Sequence, residues 1–159
     1  MGVAGSGKTT IGTRLAKGLG WRFADADDYH SAGNVEKMRQ GIPLTDADRA
    51  PWLATLRQLI EGWMAAGSSA VLACSALKES YREELRVGRE VRFVYLKAAP
   101  EVLAKRLRVR AGHYMKAGML ESQLEALEEP PDALVVDVSG TIEESVGKIV
   151  RGIGFPQTG

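Results

Sequence analysis

The first ten residues, MGVAGSGKTT, have the spacing of a phosphate-binding loop. Read from Gly2, they match G-x-x-x-x-G-K-[ST], a pattern whose backbone amides surround the phosphates of a nucleotide. Lys8 is suited to place a charge on the group being transferred, and the Thr9 hydroxyl is suited to bind Mg²⁺. The expected nucleotide-binding residues are Gly2, Ala4, Gly5, Ser6, Gly7, Lys8, Thr9 and Thr10. The guanine-binding sequence N-K-x-D is absent from the chain, so we expect ATP rather than GTP.

A second group of polar residues follows a short strand candidate at 21–24. Asp25 and Asp27 alternate just after it, so both could project from its carboxyl end, where α/β sheets bind ligands. One carboxylate could accept a proton from an attacking hydroxyl, and the other could orient Mg²⁺ through water. A solvated turn with helix-capping acids would have the same spacing. His30 is a weaker candidate, because a lone histidine is more often a structural hydrogen-bonding residue.

Basic residues are the next candidates for binding an anionic substrate. Arg49 lies just before Pro51, and a guanidinium is suited to bidentate binding of a carboxylate. Lys78 and Arg82 are four residues apart, which would place both on one face of a helix. For each of these residues the alternative is an ordinary solvated surface.

Two further arginines, Arg106 and Arg110, repeat this spacing just before the segment AGHYMKAGM. A mobile segment with basic residues at its start can close over ATP phosphates. We therefore predict a lid at about 106–128, with a solvated helix face as the alternative.

The elements that would position these residues alternate between helix and strand. Helical spacing or capping signals predict helices at 10–19, 34–40, 51–66, 79–86 and 141–151, and a further helix starting at Pro100. Apolar runs predict strands at 21–24, 69–74, 91–97 and 133–138. Such alternation indicates an α/β fold in which helices cover both faces of a parallel sheet.

Length and composition limit the other possibilities. The chain has 159 residues, enough for one α/β domain, and we treat 1–159 as a single domain. The net charge of +1 gives no reason to expect nucleic acid or an anionic membrane as a partner. No apolar run reaches the roughly 20 residues of a membrane span. Cys74 is the single cysteine and cannot form an internal disulfide, which fits a cytoplasmic location.

The chain resembles the small P-loop gluconokinases, which are related to shikimate and adenylate kinases. The resemblance is carried by MGVAGSGKTT, DADDYH, NVEKMRQGIPLTDADRAPWL, CSALKESYREELR, FVYLK, RLRVRAGHYM and LESQLEALEEP, in that order. It spans the chain from residue 2 to about residue 150. It implies a three-layer P-loop kinase fold, a homodimer, and ATP-dependent phosphorylation of D-gluconate at the 6-hydroxyl to give 6-phosphogluconate.

Carried over residue by residue, the resemblance implies roles for the candidates above. Asp27 would be the general base and Asp25 would lie near Mg²⁺, while Arg49 and Arg82 would hold gluconate. The expected catalytic residues are Lys8, Asp27, Arg106 and Arg110; the substrate-binding residues are Asp27, His30, Arg49, Lys78, Arg82, His113 and Gln123; the metal ligands are Thr9 and Asp25.

Two other functions stay open. One is a related small-molecule kinase that acts on shikimate, a nucleotide or another sugar acid, and the other is a non-catalytic ATP-binding module. The chain departs from the family pattern at Ala26, Tyr29, Ser31 and Tyr114, which bears on fine substrate preference.

One strand is missing from the expected sheet. The resemblance implies five strands in the order 2-3-1-4-5, and the four candidates would be strands 2 to 5, because only Met1 precedes the phosphate loop. Two interior strand edges would then be unpaired, and each orphaned buried amide costs about 1–3 kcal/mol. We expect several apolar residues ahead of Met1 to fill this slot, or else another segment or a neighbouring chain.

Overall fold

The computed structural model describes residues 1–110 and 116–154, in which helices and strands alternate. The helices are α1 (Lys8–Leu19), α2 (Ala32–Arg39), α3 (Asp46–Ala65), α4 (Glu79–Leu85), α5 (Pro100–Val109), α6 (Lys116–Ala126) and α7 (Ile142–Ile153). The strands are β1 (Arg22–Asp25), β2 (Ala70–Ala73), β3 (Val94–Lys97) and β4 (Leu134–Asp137), and a 3₁₀-helix spans Ala26–Tyr29. His113, with part of the predicted lid, lies outside the described residues.

The strands form two parallel pairs. β1 pairs with β2, so that Asp25 lies opposite Ala73, and β3 pairs with β4, so that Lys97 lies opposite Asp137. These pairs correspond to neighbours 2-3 and 4-5 of the predicted order, and the predicted α/β kinase fold is confirmed. Both carboxylates of the predicted site, Asp25 and Asp27, lie at the carboxyl end of β1.

A slot separates β2 from β3. Within the described residues no strand lies between them, and a cavity of about 430 Å³ is lined there by apolar residues that include Val71, Phe93 and Ile149. The chain crosses one end of the slot: the Leu96 amide donates to the Met1 carbonyl at 2.9 Å, and the Gly2 amide donates to the Ser75 carbonyl at 3.2 Å. The phosphate loop therefore begins between the two strand pairs.

Helices cover both faces of this divided sheet. On one face, α1 contributes Ile11 and Leu15 and α7 contributes Ile149 to one buried cluster. On the other face, α3 contributes Leu56 and α4 contributes Leu85 to a second cluster. A third cluster joins the phosphate loop to α5 and α6. In residues 1–110 and 116–154, no helix is both long enough and apolar enough to cross a membrane.

Helix α3 begins at Asp46, five residues before the predicted start at Pro51. A capping box explains the earlier start: the Asp48 amide donates to Thr45 Oγ1 at 3.1 Å, and the Thr45 amide donates to Asp48 Oδ2 at 3.0 Å. Pro51 lacks one amide and is accommodated within the helix. As a result, Arg49 and Asp46 lie on the first turn of a helix instead of in a loop.

Candidate active site

The phosphate loop presents backbone amides without a side-chain cap. Gly5 and Gly7 have φ angles of +82° and +88°, which glycine adopts at little cost. A Cβ at Gly5 would lie 3.0 Å from the Leu103 carbonyl oxygen. Gly7 is the N-cap of α1, and no side chain in the described part of the chain hydrogen bonds there as a cap. The first turn of α1 can therefore bind an anion with its amides and its positive helix end.

Lys8 lies over this loop and is linked electrostatically to the rest of the site. Its Nζ donates to the Val3 carbonyl at 3.1 Å. Burial lowers the pKa of Lys8, the negative charge of Asp27 opposes this shift, and the positive charge of Arg110 adds to it. Asp27 and Arg110 are therefore both within electrostatic range of Lys8.

Thr9 and Asp25 form an oxygen-rich pair that suits Mg²⁺. Thr9 Oγ1 donates to Asp25 Oδ2 at 2.6 Å, and Asp25 Oδ1 accepts from the Asp27 amide at 3.0 Å. In the described residues no group of three or more His, Cys, Asp or Glu side chains could hold a metal ion. This is compatible with Mg²⁺, which is commonly held by one or two protein ligands together with phosphates and waters.

Asp27 has an environment that raises its pKa. Its side chain is exposed at the cleft surface, yet the surrounding walls remove enough water to raise its pKa above the ordinary aspartate value. The negative charge of Asp25 raises the pKa further, whereas Lys8 and His30 lower it. A carboxylate with a raised pKa is a better proton acceptor, as a general base requires.

A second cluster of charged and aromatic side chains joins the start of α3 to the start of α4. Lys78 Nζ donates to Asp46 Oδ1 at 3.0 Å, and the Tyr81 hydroxyl donates to the same carboxylate. The Arg49 guanidinium lies 5.6 Å from the Tyr81 ring centroid, and its NH1 donates to the Tyr81 hydroxyl at 3.4 Å and to the Leu44 carbonyl. Lys78 Nζ also lies 5.6 Å from the Tyr81 ring centroid, so two cations meet at this tyrosine. We call Arg49, Lys78, Tyr81 and Asp46 the anion-binding cluster.

His30 is held between this cluster and Asp27. Its ring stacks on Trp52 with centroids 4.3 Å apart, and its Nδ1 lies 3.4 Å from Asn34 Nδ2. Trp52 Nε1 in turn donates to the Ala26 carbonyl at 2.8 Å. Burial lowers the pKa of His30, although Asp27 opposes the shift, so the neutral imidazole is favoured. These contacts fit the structural alternative for His30, and its role toward substrate stays a prediction.

Lys78 and Arg82 have different environments, although they are four residues apart at the start of α4. The Arg82 amide donates to the Lys78 carbonyl at 3.2 Å as in a helix, but Lys78 is the N-cap residue with an extended backbone and its side chain binds Asp46. Arg82 is 1 % exposed, and it donates to the carbonyls of Ala76 and Leu77 at 2.8 and 3.0 Å and to that of Glu128 at 2.9 Å. The structure therefore does not bring Arg82 to the open cleft, and its binding of substrate stays a prediction.

Of the other predicted residues that the structure describes, Arg106 lies on α5, Arg110 directly after it and Gln123 on α6. Arg106 donates to the Val138 carbonyl, whereas Arg110 is exposed and near enough to Lys8 to lower its pKa. Gln123 contacts the phosphate loop instead of the acceptor side, since its Oε1 accepts from the Ala4 amide at 2.7 Å.

Three residues of the site were missed from the sequence. Asp46 and Tyr81 belong to the anion-binding cluster. The third residue is the buried Asn34, whose side-chain amide lies beside His30 and donates to the Asp48 carbonyl at 2.9 Å. The T-D-A-D sequence at 45–48 was a signal for a helix start and hence for Asp46. Tyr81 depends on a contact across 35 residues, which no local pattern indicates.

Comparison with known proteins places this geometry among phosphotransferases. The family model described as shikimate kinase matches residues 4–152. A gluconokinase of Gluconobacter oxydans is 52% identical over 143 residues, covering 88% of this chain and 80% of that protein. A probable gluconokinase of Xenopus tropicalis is 42% identical over 95% of this chain and 92% of its own length. The crystal structure of a gluconokinase from Sinorhizobium meliloti superposes with a TM-score of 0.86 at 40% identity, covering 96% of this chain and 88% of that one.

Proposed function

The chain belongs to the shikimate kinase-like P-loop family and, within it, to the gluconokinases, and from this premise we propose that it transfers the γ-phosphoryl group of ATP to D-gluconate. The expected acceptor is the 6-hydroxyl, and the products are 6-phosphogluconate and ADP. The observation that carries the proposal is the hydrogen-bonded link from the phosphate loop to Asp27: Thr9 Oγ1 donates to Asp25 Oδ2 at 2.6 Å, and the Asp27 amide donates to Asp25 Oδ1 at 3.0 Å. Lys8, the residue before Thr9, would supply a charge for the phosphoryl group at one end of this link, and Asp27 would supply a base for the hydroxyl at the other.

The proposed mechanism relies on alignment and charge stabilisation rather than covalent help from the protein. The amides of the phosphate loop and Lys8 would hold the β- and γ-phosphates. Asp27 would accept the proton of the 6-hydroxyl while the hydroxyl oxygen attacks the γ-phosphorus. The bond between the γ-phosphorus and the ADP oxygen breaks, and ADP leaves. Mg²⁺, when bound by Thr9 and Asp25, would neutralise charge on the phosphate oxygens. Arg110 would add positive charge near Lys8.

The anion-binding cluster would hold the other end of the acceptor. Arg49 and Lys78 are the cations that we assign to the gluconate carboxylate, and Tyr81 would supply a hydroxyl donor. In the present structure Asp46 accepts from Lys78 and Tyr81, so a substrate carboxylate would share or displace those bonds. An acceptor held in this way would need a carboxylate at one end, for the cluster, and a hydroxyl at the other end, for Asp27.

An acceptor panel tests the proposal. ADP release with Mg²⁺ and ATP is measured in the presence of D-gluconate, shikimate, a nucleoside monophosphate or another sugar acid, and the phosphorylated product is identified by ³¹P NMR. We expect D-gluconate to support the highest kcat/KM and to be modified at the 6-position. Faster turnover of another acceptor would replace gluconate, and ATP binding without transfer to any acceptor would indicate a binding module.

Three further expectations accompany this function. We propose that residues 1–159 act as one kinase domain, that the protein is a cytoplasmic homodimer, and that neither nucleic acid nor a membrane is a partner. Sedimentation velocity with and without ATP and gluconate would test the dimer, since a single species of monomer mass would contradict it.

A further inference from the structure

The peptide group between Val3 and Ala4 is held from both sides. Its carbonyl accepts from the Ser6 amide at 3.2 Å and from Lys8 Nζ at 3.1 Å, both within the phosphate loop. Its N–H donates to Gln123 Oε1 at 2.7 Å, which comes from α6, 119 residues further along the chain. We infer that Gln123 is a positioning residue that fixes the phosphate loop in its nucleotide-binding conformation.

Helix α6 presents Gln123 to the loop from a packed position. Leu120, three residues earlier, is 5 % exposed and belongs to the cluster that contains Val3 and Leu103, and Leu124 packs against the same cluster. The Leu127 amide donates to the Gln123 carbonyl at 2.9 Å, so the helical turn continues past this residue. The side-chain oxygen is therefore supplied by a helix that is anchored to the loop through apolar contacts.

An external partner matters here because the loop changes direction on either side of this peptide group. Gly2 has a φ of +149° and Gly5 a φ of +82°, backbone angles that side-chain-bearing residues rarely adopt. The bond to Gln123 favours one orientation, in which the carbonyl faces the Ser6 amide and Lys8. When ATP binds, the free-energy cost of ordering the loop is smaller if the loop already has its binding conformation. Gln123 thus acts on ATP affinity without touching the nucleotide.

The test is direct measurement of Mg-ATP binding by calorimetry, together with the KM values for ATP and gluconate. Gln123→Leu keeps the volume and removes the acceptor, so we expect Mg-ATP binding to weaken roughly three- to tenfold, the scale of one hydrogen bond. The KM for ATP should rise with it, and the KM for gluconate should stay within twofold. Gln123→Asn should behave in the same way, because its amide ends about 1.5 Å short of the loop.

Gln123→Glu is the rescue variant, since a carboxylate also accepts the Ala4 N–H. At an ionic strength high enough to screen the added charge, it should bind Mg-ATP within about twofold of wild type. Glu121→Leu, at an exposed position of the same helix, is the matched control and should change neither KM.

Three outcomes would overturn the inference: unchanged Mg-ATP binding in both Gln123→Leu and Gln123→Asn, an equal rise in both KM values, or failure of Gln123→Glu to restore binding. If Gln123→Leu does not fold, Gln123→Asn carries the same test. The inference rests on the proposed function only in taking ATP as the nucleotide. Because calorimetry of Mg-ATP needs no acceptor, a failure to phosphorylate gluconate would leave this measurement interpretable.

Discussion

The two sides of the cleft are built in different ways. The nucleotide side consists mainly of backbone amides in a glycine-rich loop and at the first turn of α1, with Lys8 as the main added charge. The acceptor side consists of side chains from α3 and α4 that already bind one another, as Asp46 binds Lys78 and Tyr81. Substitutions on the nucleotide side should therefore affect the chemical step, and those on the acceptor side should affect recognition of the sugar acid.

This difference explains which parts of the site the sequence could predict. A backbone loop needs particular residues at fixed spacing, so eight consecutive positions from Gly2 to Thr9 were enough to locate the nucleotide side. The acceptor side depends on contacts between distant segments, such as Asp46 with Tyr81. Its cations Arg49 and Lys78 were proposed by residue type, but Tyr81, whose ring lies 5.6 Å from each of them, was not.

The largest effect is expected for Lys8→Ala on the nucleotide side. The change removes the charge that the loop places on the transferring group, so kcat should fall on the order of 10²-fold or more. The KM for gluconate should change little, and steady-state assays of ADP release measure both values. Lys17→Ala, at an exposed position in the last turn of the same helix, is the control and should leave kcat unchanged. Near-normal turnover of Lys8→Ala would refute its role.

Asp27→Asn separates catalysis from stability. Loss of the base should lower kcat on the order of 10²-fold, whereas the same change should raise the melting temperature at neutral pH. The sign follows from the raised pKa of Asp27: its protonated form favours folding at low pH, and that contribution is lost as pH rises through the pKa of the folded state. The side-chain amide introduced by Asp27→Asn stays neutral at every pH, so the variant does not lose this contribution to stability.

The pH dependence of wild-type kcat/KM for gluconate checks the same assignment, because this constant reports the free enzyme. A base must be deprotonated, so kcat/KM should fall as pH drops through the pKa of Asp27, which desolvation raises above the ordinary aspartate value. Glu101→Gln, at an exposed position of α5, should keep the wild-type profile and turnover. An Asp27→Asn variant with near-normal turnover, or one with lower stability at neutral pH, would contradict this description of the carboxylate.

Arg49→Ala tests the acceptor side. Removing a partly buried cation from the anion-binding cluster should weaken gluconate binding by about 2 kcal/mol, or on the order of 30-fold in KM. The KM for ATP should stay near the wild-type value. Arg57→Ala, on the same helix but paired with Glu61, is the control and should change neither constant. A raised KM for ATP with an unchanged KM for gluconate would move Arg49 to the nucleotide side.

Tyr81→Phe should have the smallest effect. It keeps the ring, whose centroid lies 5.6 Å from both Arg49 and Lys78, and removes the hydroxyl that donates to Asp46 and accepts weakly from Arg49. Loss of one hydrogen bond should raise the KM for gluconate roughly three- to tenfold, with kcat and the KM for ATP unchanged. An effect on ATP instead of gluconate would break the division between the two sides.

Much of the fold was predictable because its patterns are local. Apolar runs located β1 to β4, and the divided sheet confirmed the neighbours expected for a missing central strand. The predicted start of α3 at Pro51 is wrong, because the capping box at Thr45 begins the helix five residues earlier. Helix α6 was not predicted as a helix. Its apolar residues do not recur with a clear helical spacing, and its position depends on the packing of Leu120 against α5.

Side-chain roles were less predictable, as the arginines illustrate. Arg82 matches a family position, yet burial beneath the carbonyls of Ala76 and Leu77 gives it a structural part that spacing could not reveal. Gln123 was expected on the acceptor side and instead contacts the Ala4 amide. In both residues the partner is a backbone group brought close by tertiary folding, which side-chain patterns do not encode.

A crystal structure with Mg²⁺, a non-hydrolysable ATP analogue and D-gluconate would test the division of the cleft most directly. We expect the Asp27 carboxylate within hydrogen-bonding distance, about 3 Å, of the gluconate 6-hydroxyl, with that oxygen aligned on the γ-phosphorus. The gluconate carboxylate should contact Arg49 and Lys78. A complex in which Asp27 and Arg49 both lie away from the sugar acid and from the outer phosphate would contradict the proposed site.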